Sequence, residues 1–280
     1  MNNPPAGHLA DPIAIFDSGV GGLSVLRHIR ALLPGENLLY LADQANVPYG
    51  PRPAGEVRQF TAAITRFLLA QQAKLIVVAC NTATAAALTY LRDTFPHTSF
   101  VGMEPAVKPG AQQTQTGKVG VLATAGTFES QRYASLMARY AQHVTLYEDP
   151  CVGLVELIEA GELASPATAA LLQRCLAPML QAGVDTIVLG CTHYPFVLPL
   201  LTTLTAPGRV GIIDPAPAVA RQVQRLLLAQ QVATPQTAPG HLHAFTSADP
   251  GRLTHQIQTL LGETIPVTPL SWQAGELRPR

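Results

Sequence analysis

The sequence predicts an α/β protein with two pseudo-symmetric three-layer α/β domains, mostly parallel sheets and a site in the crevice between the domains. Three observations support this fold class. Short apolar runs alternate with longer stretches of helical period. Two of these runs recur later in the chain in the same order. The chain has 280 residues, of which 48% are hydrophobic, so it is ample for a large buried core.

Short apolar runs predict strands at 13–16, 38–43, 75–80, 99–103, 119–124, 144–149, 186–191, 210–214, 243–247 and 265–267. Apolar residues at helical spacing predict helices at 23–33, 57–68, after 80, and at 133–140, 153–161, 168–182, 219–226 and 250–261. This alternation favours parallel sheets that carry helices on both faces.

An internal repeat indicates that the two domains resemble each other. The stretch "IAIFDSG" resembles "VGVLATAG" at an offset of 106 residues, and "LIVVACNT" resembles "TIVLGCTH" at an offset of 111. Buried parallel strands all tend to be rich in Val, Ile and Leu, so chance is a rival explanation. Two matched pairs in the same order favour two similar halves that face each other.

Composition and charge exclude several classes of protein. The 18 basic and 18 acidic residues give no net charge, which leaves no footprint for nucleic acid or an anionic membrane. The apolar runs are too short to cross a bilayer. The N-terminal "MNNPPAGHLADP" lacks the pattern of a signal peptide. We expect a cytoplasmic protein.

The glycine-rich stretch "FDSGVGGLSVL" (16–26) lies between a predicted strand and a helix, where a dinucleotide-binding turn would lie. It lacks the third glycine of that fingerprint, although Asp43 ends the next strand, so a nucleotide-binding oxidoreductase stays an alternative. Asp17 and Ser18 favour another ligand, because a carboxylate would repel phosphate but attract an ammonium group. Free N–H groups at the start of the helix could hold a small carboxylate.

The chain has four cysteines and no CxxC pair, so neither a metal site nor a disulfide framework is predicted. Cys151 and Cys175 are expected to be small buried hydrophobic residues. Cys80 and Cys191 differ, because both follow buried strands, at the sheet edge where α/β proteins bind ligands. Each precedes residues that can begin a helix, whose N-terminus lowers the pKa of a thiol toward neutrality.

Two thiols on opposite sides of one ligand could remove a proton from one face of a carbon and deliver another to the opposite face. Such a two-base reaction needs no cofactor. A pyridoxal phosphate route would need a lysine, and the chain has only Lys74, Lys108 and Lys118. Lys74 and Lys118 are at strand beginnings, away from the predicted site. Lys108 stays open as a cofactor residue.

The motifs "DSGVGG", "VPYG", "ACNTA", "VLATAGT", "GCTHYP" and "FTSADP" occur here in one order and span nearly the whole chain. In these motifs the chain resembles the glutamate racemases of the cofactor-independent aspartate/glutamate racemase superfamily. The resemblance implies interconversion of L- and D-glutamate without a cofactor, as a supply of D-glutamate for peptidoglycan. Two departures, Gln44 and Val152, affect loops and neither of the proposed bases.

The resemblance also implies the roles of individual residues. Cys80 and Cys191 would be the two bases, and Asp17 and His193 would assist the thiols. The amino acid would be bound by Asp17, Ser18, Tyr49, Gly50, Asn81, Thr82, Thr192 and His193. Asp43 and Glu159 would be further polar helpers, although a helical glutamate such as Glu159 is usually solvated.

The implied domains are 1–103 together with 214–280, and 104–213, with "GMEPAVKPG" (102–110) crossing between them. Aspartate or another amino acid is an alternative substrate within the superfamily, and a non-catalytic amino-acid-binding protein is a more distant alternative. The implied partner is the small substrate, with no nucleic acid and no membrane. Family members differ in dimer arrangement, so a homodimer is one assembly that the resemblance leaves open.

Overall fold

The computed structural model describes residues 9–205 and 208–280. Residues 1–8, which belong to the predicted first domain and to the N-terminal segment considered above, lie outside the described residues. The strands within the described ranges are β1 (Ile13–Asp17), β2 (Leu38–Ala42), β3 (Leu75–Val78), β4 (Phe100–Gly102), β5 (Lys118–Ala123), β6 (Thr145–Asp149), β7 (Thr186–Gly190), β8 (Gly211–Ile213), β9 (Leu242–Thr246), β10 (Val267–Gln273) and β11 (Glu276–Pro279).

Helices occupy most of the connections between these strands. They are α1 (Leu23–Leu32), α2 (Ala54–Ala70), α3 (Asn81–Thr94), α4 (Val107–Gln113), α5 (Ala125–Phe128), α6 (Gln131–Tyr140), α7 (Leu154–Glu159), α8 (Pro166–Gln181), α9 (Leu198–Leu204), α10 (Ala216–Ala229) and α11 (Pro250–Leu261), with a 3-10 turn at Tyr194–Val197. Among the described residues, no helix combines the length and apolar character that a membrane span requires.

The strands form two sheets, and four strands of the larger sheet have the same order as the four strands of the smaller one. The larger sheet has the order β11-β10-β9-β2-β1-β3-β4, and the smaller has the order β6-β5-β7-β8. The β2-β1-β3-β4 part of the larger sheet repeats the order of the smaller one, and all of these neighbours pair in parallel. The predicted α/β class with mostly parallel sheets is confirmed, and the shared order supports the internal repeat.

The central strands explain why the apolar runs are nearly continuous. Every residue of β1, β3 and β7 is buried. Helices cover both faces of a parallel sheet, so a central strand needs apolar side chains on both sides and not on alternate residues. The chain leaves the carboxyl ends of these three strands at Ser18, at Cys80 and at Cys191, and these ends carry the candidate site.

The C-terminal strands differ from the prediction. Instead of a single strand near 265–267, β10 begins at Val267 and pairs with β11 in an antiparallel hairpin. The two residues between the strands, Ala274 and Gly275, have φ values of 50 and 80°. Such a turn matches the twist of a hairpin, but alanine is not a typical residue for it, so no hairpin was predicted here. The short helices α4, α5 and α9 are also absent from the prediction.

The two sheets share buried apolar contacts. One cluster of buried residues includes Val20 and Leu23 beside the larger sheet and Leu154 and Tyr194 beside the smaller one. In the sequence, the strands of the larger sheet come from two segments, 13–102 and 242–279. The strands of the smaller sheet come from the intervening segment, 118–213. This division is the one that the predicted domains require, and the domain assignment itself stays a prediction.

Candidate active site

The two predicted thiols lie beyond the ends of equivalent strands of the two sheets. Cys80 caps α3, and the N–H of Ala83 donates to its Sγ at 3.4 Å. Cys191 follows β7 directly. Both thiols are free and nearly buried, each 6% exposed. A buried thiol at a strand end can act on a ligand that is itself shielded from water.

Asp17 connects the first half of the chain to the second. Its Oδ1 accepts from the N–H of Gly19 at 2.9 Å, and its Oδ2 accepts from the hydroxyl of Thr192 at 2.9 Å. The adjacent Ser18 hydroxyl lies 3.9 Å from Cys80 Sγ. The carboxylate therefore lies among groups from both strand ends.

His193 lies between Cys191 and Glu159. Its Nδ1 is 3.8 Å from Cys191 Sγ, and its Nε2 is 2.8 Å from Glu159 Oε1. Glu159 is only 5% exposed, unlike the solvated glutamate that is usual in a helix. The N–H of Val20 donates to Glu159 Oε1 at 2.7 Å, and Gln256 donates to the Glu159 carbonyl at 2.7 Å. A thiol, an imidazole and a carboxylate thus form a hydrogen-bonded chain.

The pKa shifts of His193 and Glu159 favour a charged pair. Burial lowers the pKa of His193, but the hydrogen bonds and charges of Cys191 and Glu159 raise it well above its ordinary value. Burial raises the pKa of Glu159, but His193 and the N–H of Val20 bring it below its ordinary value. The carboxylate therefore stabilises the imidazolium, and the imidazolium lies beside the Cys191 thiol.

The first thiol is in a different electrostatic environment. Burial raises the pKa of Asp17 above its ordinary value, although the charge of His193 opposes this. Burial also raises the pKa of the Cys80 thiol, the charge of Asp17 raises it further, and the N–H of Ala83 opposes both. The expectation of a lowered pKa is therefore wrong for Cys80 in this closed arrangement, because the loss of water outweighs one helix N–H.

The glycine-rich turn is filled by protein side chains. A Cβ added to Gly19 would lie 1.9 Å from Glu159 Oε1, and one added to Gly21 would lie 2.5 Å from His193 Nδ1. The N–H groups of Gly19 and Val20 already donate to Asp17 and Glu159. These two N–H groups are therefore not free for a ligand carboxylate, because Asp17 and Glu159 already accept from them.

Asn81 and Thr82 begin α3 and face the second half of the chain. The Thr82 hydroxyl lies 2.8 Å from that of Thr124, which follows β5. Asn81 is 3% exposed, and neither its Oδ1 nor its Nδ2 has a hydrogen-bond partner within the described part of the chain. A buried amide without partners is costly unless a ligand completes it. Asn81 is therefore the strongest sign of a polar ligand at this site.

Asp43 and Tyr49 form a supporting cluster at the end of β2. Asp43 is fully buried and accepts from the hydroxyls of Tyr49 and Ser247, each at 2.6 Å, and from Trp272 Nε1 at 2.8 Å. Gly50, which follows Tyr49, lies against Thr124. A Cβ added to Gly50 would lie 3.2 Å from the Cβ of Thr124. Asp43 contacts neither thiol, so its direct effect is to position Tyr49 and the Gly50 loop.

A large cavity of about 1180 Å³ lies elsewhere, and its lining includes Tyr90, Tyr140 and Gln222 but neither Cys80 nor Cys191. The thiols lie instead in the closed contact region between the two sheets. Thr82 and Gly50 of the first half of the chain both lie against Thr124 of the second half. The large cavity is therefore separate from the cluster of titratable groups around the two thiols.

Comparison with known proteins gives the family. The model of the Asp/Glu/Hydantoin racemase family matches residues 21–223. The chain belongs to this family. A glutamate racemase of Ectopseudomonas mendocina is 53% identical over 252 residues, covering 90% of this chain and 95% of the relative. A glutamate racemase of Pseudomonas aeruginosa is 56% identical over 230 residues, covering 80% and 86%.

Solved structures of the racemase family share the fold. Glutamate racemase RacE1 of Bacillus anthracis superposes with a TM-score of 0.86 at 29% identity, covering 96% of this chain and all of that one. Escherichia coli glutamate racemase, in complex with L-glutamate and the activator UDP-MurNAc-ala, superposes with a TM-score of 0.80 at 34% identity, covering 93% and 98%. Membership of a racemase family replaces the nucleotide-binding oxidoreductase as an interpretation of the glycine-rich turn.

The site of this racemase family member also contains residues that the sequence did not predict. Thr124 was visible only as the partner of Ser18 in the internal repeat. Gln44, which departs from the family pattern, donates to Gln256 at 2.7 Å and to Glu159 Oε2 at 3.3 Å. Gln44 and Gln256 are far apart in the sequence, so no local sequence pattern predicts their contact.

We predict that Glu159→Gln lowers stability in a pH-dependent way. The lowered pKa of Glu159 means that its charge stabilises the fold above its ordinary value of 4.5 and that this is lost as pH falls through the folded pKa. The raised pKa of His193 means that its protonation stabilises the fold below 6.5 and that this is lost as pH rises through the folded pKa.

The loss of unfolding free energy should therefore be largest between pH 4.5 and 6.5, at about 2 kcal/mol, and should shrink toward pH 9. Urea unfolding at several pH values measures it. Glu156→Gln is the matched control, since Glu156 is an exposed carboxylate of the same helix. A loss that is independent of pH, or that grows toward pH 9, would contradict the charged pair.

Proposed function

We propose that this enzyme interconverts L- and D-glutamate by a two-base reaction in which Cys80 and Cys191 exchange the roles of base and acid. The observation that carries the proposal is the placement of two buried free thiols beyond equivalent strands of two sheets with the same strand order. The naming of the curated relatives as glutamate racemases supports the choice of substrate.

The chemistry requires one thiolate and one thiol together. The thiolate on one side takes the proton from Cα, and the electron pair of the broken C–H bond passes into the α-carboxylate system. The thiol on the other side then gives its proton to the opposite face of Cα, which leaves a thiolate there. The roles are reversed for the other enantiomer, so each turnover exchanges the protonation states of Cys80 and Cys191.

Asp17 would bind the substrate ammonium group. The charge of Asp17 is one of the factors that raise the pKa of Cys80. An ammonium group beside Asp17 would oppose that charge and favour the Cys80 thiolate when substrate is bound. Ionisation of Cys80 is thereby linked to an occupied site. On the other side, His193 would assist the Cys191 thiol, which lies 3.8 Å from its Nδ1.

The remaining predicted residues would hold the two carboxylates and the backbone of the amino acid. The unpartnered Asn81 amide offers a donor and an acceptor. The hydroxyls of Ser18, beside Cys80, of Thr192, bonded to Asp17, and of Thr82 would supply further hydrogen bonds. Tyr49 and Gly50 would complete it from the loop that Asp43 positions. Thr124 joins this proposal because its hydroxyl faces Thr82.

The placement of the lysines supports a reaction without a lysine Schiff base. Lys74 forms a buried ion pair with Glu36 at 2.6 Å, and Lys118 donates to the carbonyl of Ala182 at 2.6 Å. Lys108, left open by the sequence, lies over the ring of Tyr140 at 5.5 Å. None of these contacts involves Cys80 or Cys191.

We also propose that the product supplies D-glutamate for peptidoglycan, a role that rests on the resemblance to the family. The cytoplasmic location and a homodimer stay predictions from the sequence. Aspartate stays the alternative substrate, and adding each enantiomer of glutamate and aspartate separately, without cofactor, tests it. Racemisation of aspartate at a higher kcat/KM than that of glutamate would overturn the choice of glutamate.

We predict that Cys80→Ser and Cys191→Ser each abolish racemisation, because a serine hydroxyl ionises far less readily than a thiol. Each variant should still eliminate a β-leaving group from one enantiomer of a glutamate analogue, since elimination needs only one proton removal. The two variants should prefer opposite enantiomers. Optical rotation measures racemisation, and release of the leaving group measures elimination. Full racemase activity in either variant would refute the two-base proposal.

We predict that Asn81→Ala lowers kcat/KM for glutamate at least about tenfold, which corresponds to about 1.4 kcal/mol. It should change the unfolding free energy little, because the amide has no partner to lose. Thr84→Val is the matched control on the same helix, since the Thr84 hydroxyl bonds Val78 and Met103, each at 3.0 Å. The control should lose stability more than Asn81→Ala does. The opposite order would contradict a ligand-binding role for Asn81.

A further inference from the structure

A second group of titratable side chains lies behind the Cys191 half of the site. Asp149 ends β6, Cys151 follows two residues later, and Cys175 lies in the middle of α8. One oxygen of Asp149 and the two sulfur atoms all lie within 4.8 Å of one another. The two cysteines are free thiols that are 1% and 8% exposed.

We propose that Asp149, Cys151 and Cys175 form a binding site for a thiophilic divalent cation, with Zn²⁺ as the best-fitting ion. Two sulfur ligands and one carboxylate oxygen are a donor set that zinc takes in proteins. In a tetrahedral site with Zn–S distances of about 2.3 Å, ligand atoms lie about 3.8 Å apart. The distance between any two of the three ligand atoms, which is at most 4.8 Å, would therefore need to shorten by about 1 Å at most.

The loop that carries Cys151 already holds the three groups together. The N–H of Cys151 donates to Asp149 Oδ1 at 2.7 Å, which orients the carboxylate. Cys151 has a φ of 45°, a left-handed backbone conformation that is uncommon for a residue with a side chain, and its sulfur lies within 4.8 Å of that of Cys175 in α8. The spacing of the cysteines did not predict this site, because Cys175 belongs to a separate helix, 24 residues after Cys151.

An ion could reach this group from the solvent. Asp149 is only partly buried, and the neighbouring Val152 is 81% exposed. The three ligands leave a fourth position for water or a small exogenous ligand. The carboxylate distinguishes this group from a simple pair of thiols, and it is the reason why a metal ion is favoured here over a disulfide.

A bound ion would connect β6, the beginning of α7 and α8. Tyr194, which is fully buried, lies next to this group: its hydroxyl donates to the carbonyl of Pro150 at 3.4 Å, and its N–H donates to the carbonyl of Cys191 at 3.2 Å. Because α7 ends at Glu159, the ion would hold the segments that support both Cys191 and Glu159. The ion would therefore stabilise this half of the protein.

The test uses the full chain carrying Cys80→Ser and Cys191→Ser, so that the proposed catalytic thiols cannot bind the ion. Under reducing conditions, the protein is titrated with Co²⁺ as a spectroscopic probe and then with Zn²⁺. We expect one equivalent of Co²⁺ with thiolate-to-cobalt charge-transfer absorption, displacement by one equivalent of Zn²⁺, and a rise in Tm with Zn²⁺.

Adding Cys175→Ser should abolish the charge-transfer band or halve it, and adding Asp149→Asn should weaken the affinity at least tenfold. Asp149→Asn keeps the size of a partly exposed residue, so it tests the site even if Cys175→Ser unfolds the protein. Adding Glu148→Gln, which changes the preceding residue, should leave binding intact. Absence of the band, or a band that neither Cys175→Ser nor Asp149→Asn changes, would overturn the proposal.

Discussion

The buried contact of Glu159 with His193 and the N–H of Val20 is the interaction on which the rest of the site depends. A carboxylate that is 5% exposed is tolerated only when it is paired and hydrogen-bonded. Here the imidazole, the N–H of Val20 and the amide of Gln256 supply those partners. The partners come from both halves of the chain, so satisfying one charge fixes how the two halves meet.

This constraint explains both the glycines and the position of the second thiol. Gly19 has no room for a side chain, because Glu159 occupies the space where a Cβ would lie. The same carboxylate orients His193, whose other nitrogen faces Cys191. On the other side, Asp17 joins the two halves through Thr192. Burial raises the pKa of Cys80, and the charge of Asp17 raises it further. The two thiols therefore lie in different electrostatic environments, although their strands are equivalent.

The sequence predicted the parts of this arrangement that depend on local pattern. Buried strands carry continuous apolar runs, and residues such as Cys80 and Cys191 after them must lie at the ligand-binding edge of a parallel sheet. It could not show that Glu159 is buried, because that depends on Val20 and Gln256 from distant segments. It also missed the hairpin that brings Trp272 to Asp43, and the approach of Cys175 to Cys151, since both are contacts between separate elements.

The central claim is that two bases act on opposite faces of one carbon. The most direct test is a brief reaction of L-glutamate in heavy water, stopped after a small fraction has been converted. The enantiomers are then separated, and the deuterium at Cα is measured by mass spectrometry. We predict that the D-glutamate formed carries deuterium, while the recovered L-glutamate carries almost none. Comparable deuterium in the recovered L-glutamate, or product that retains the original proton, would indicate a single base and contradict the account.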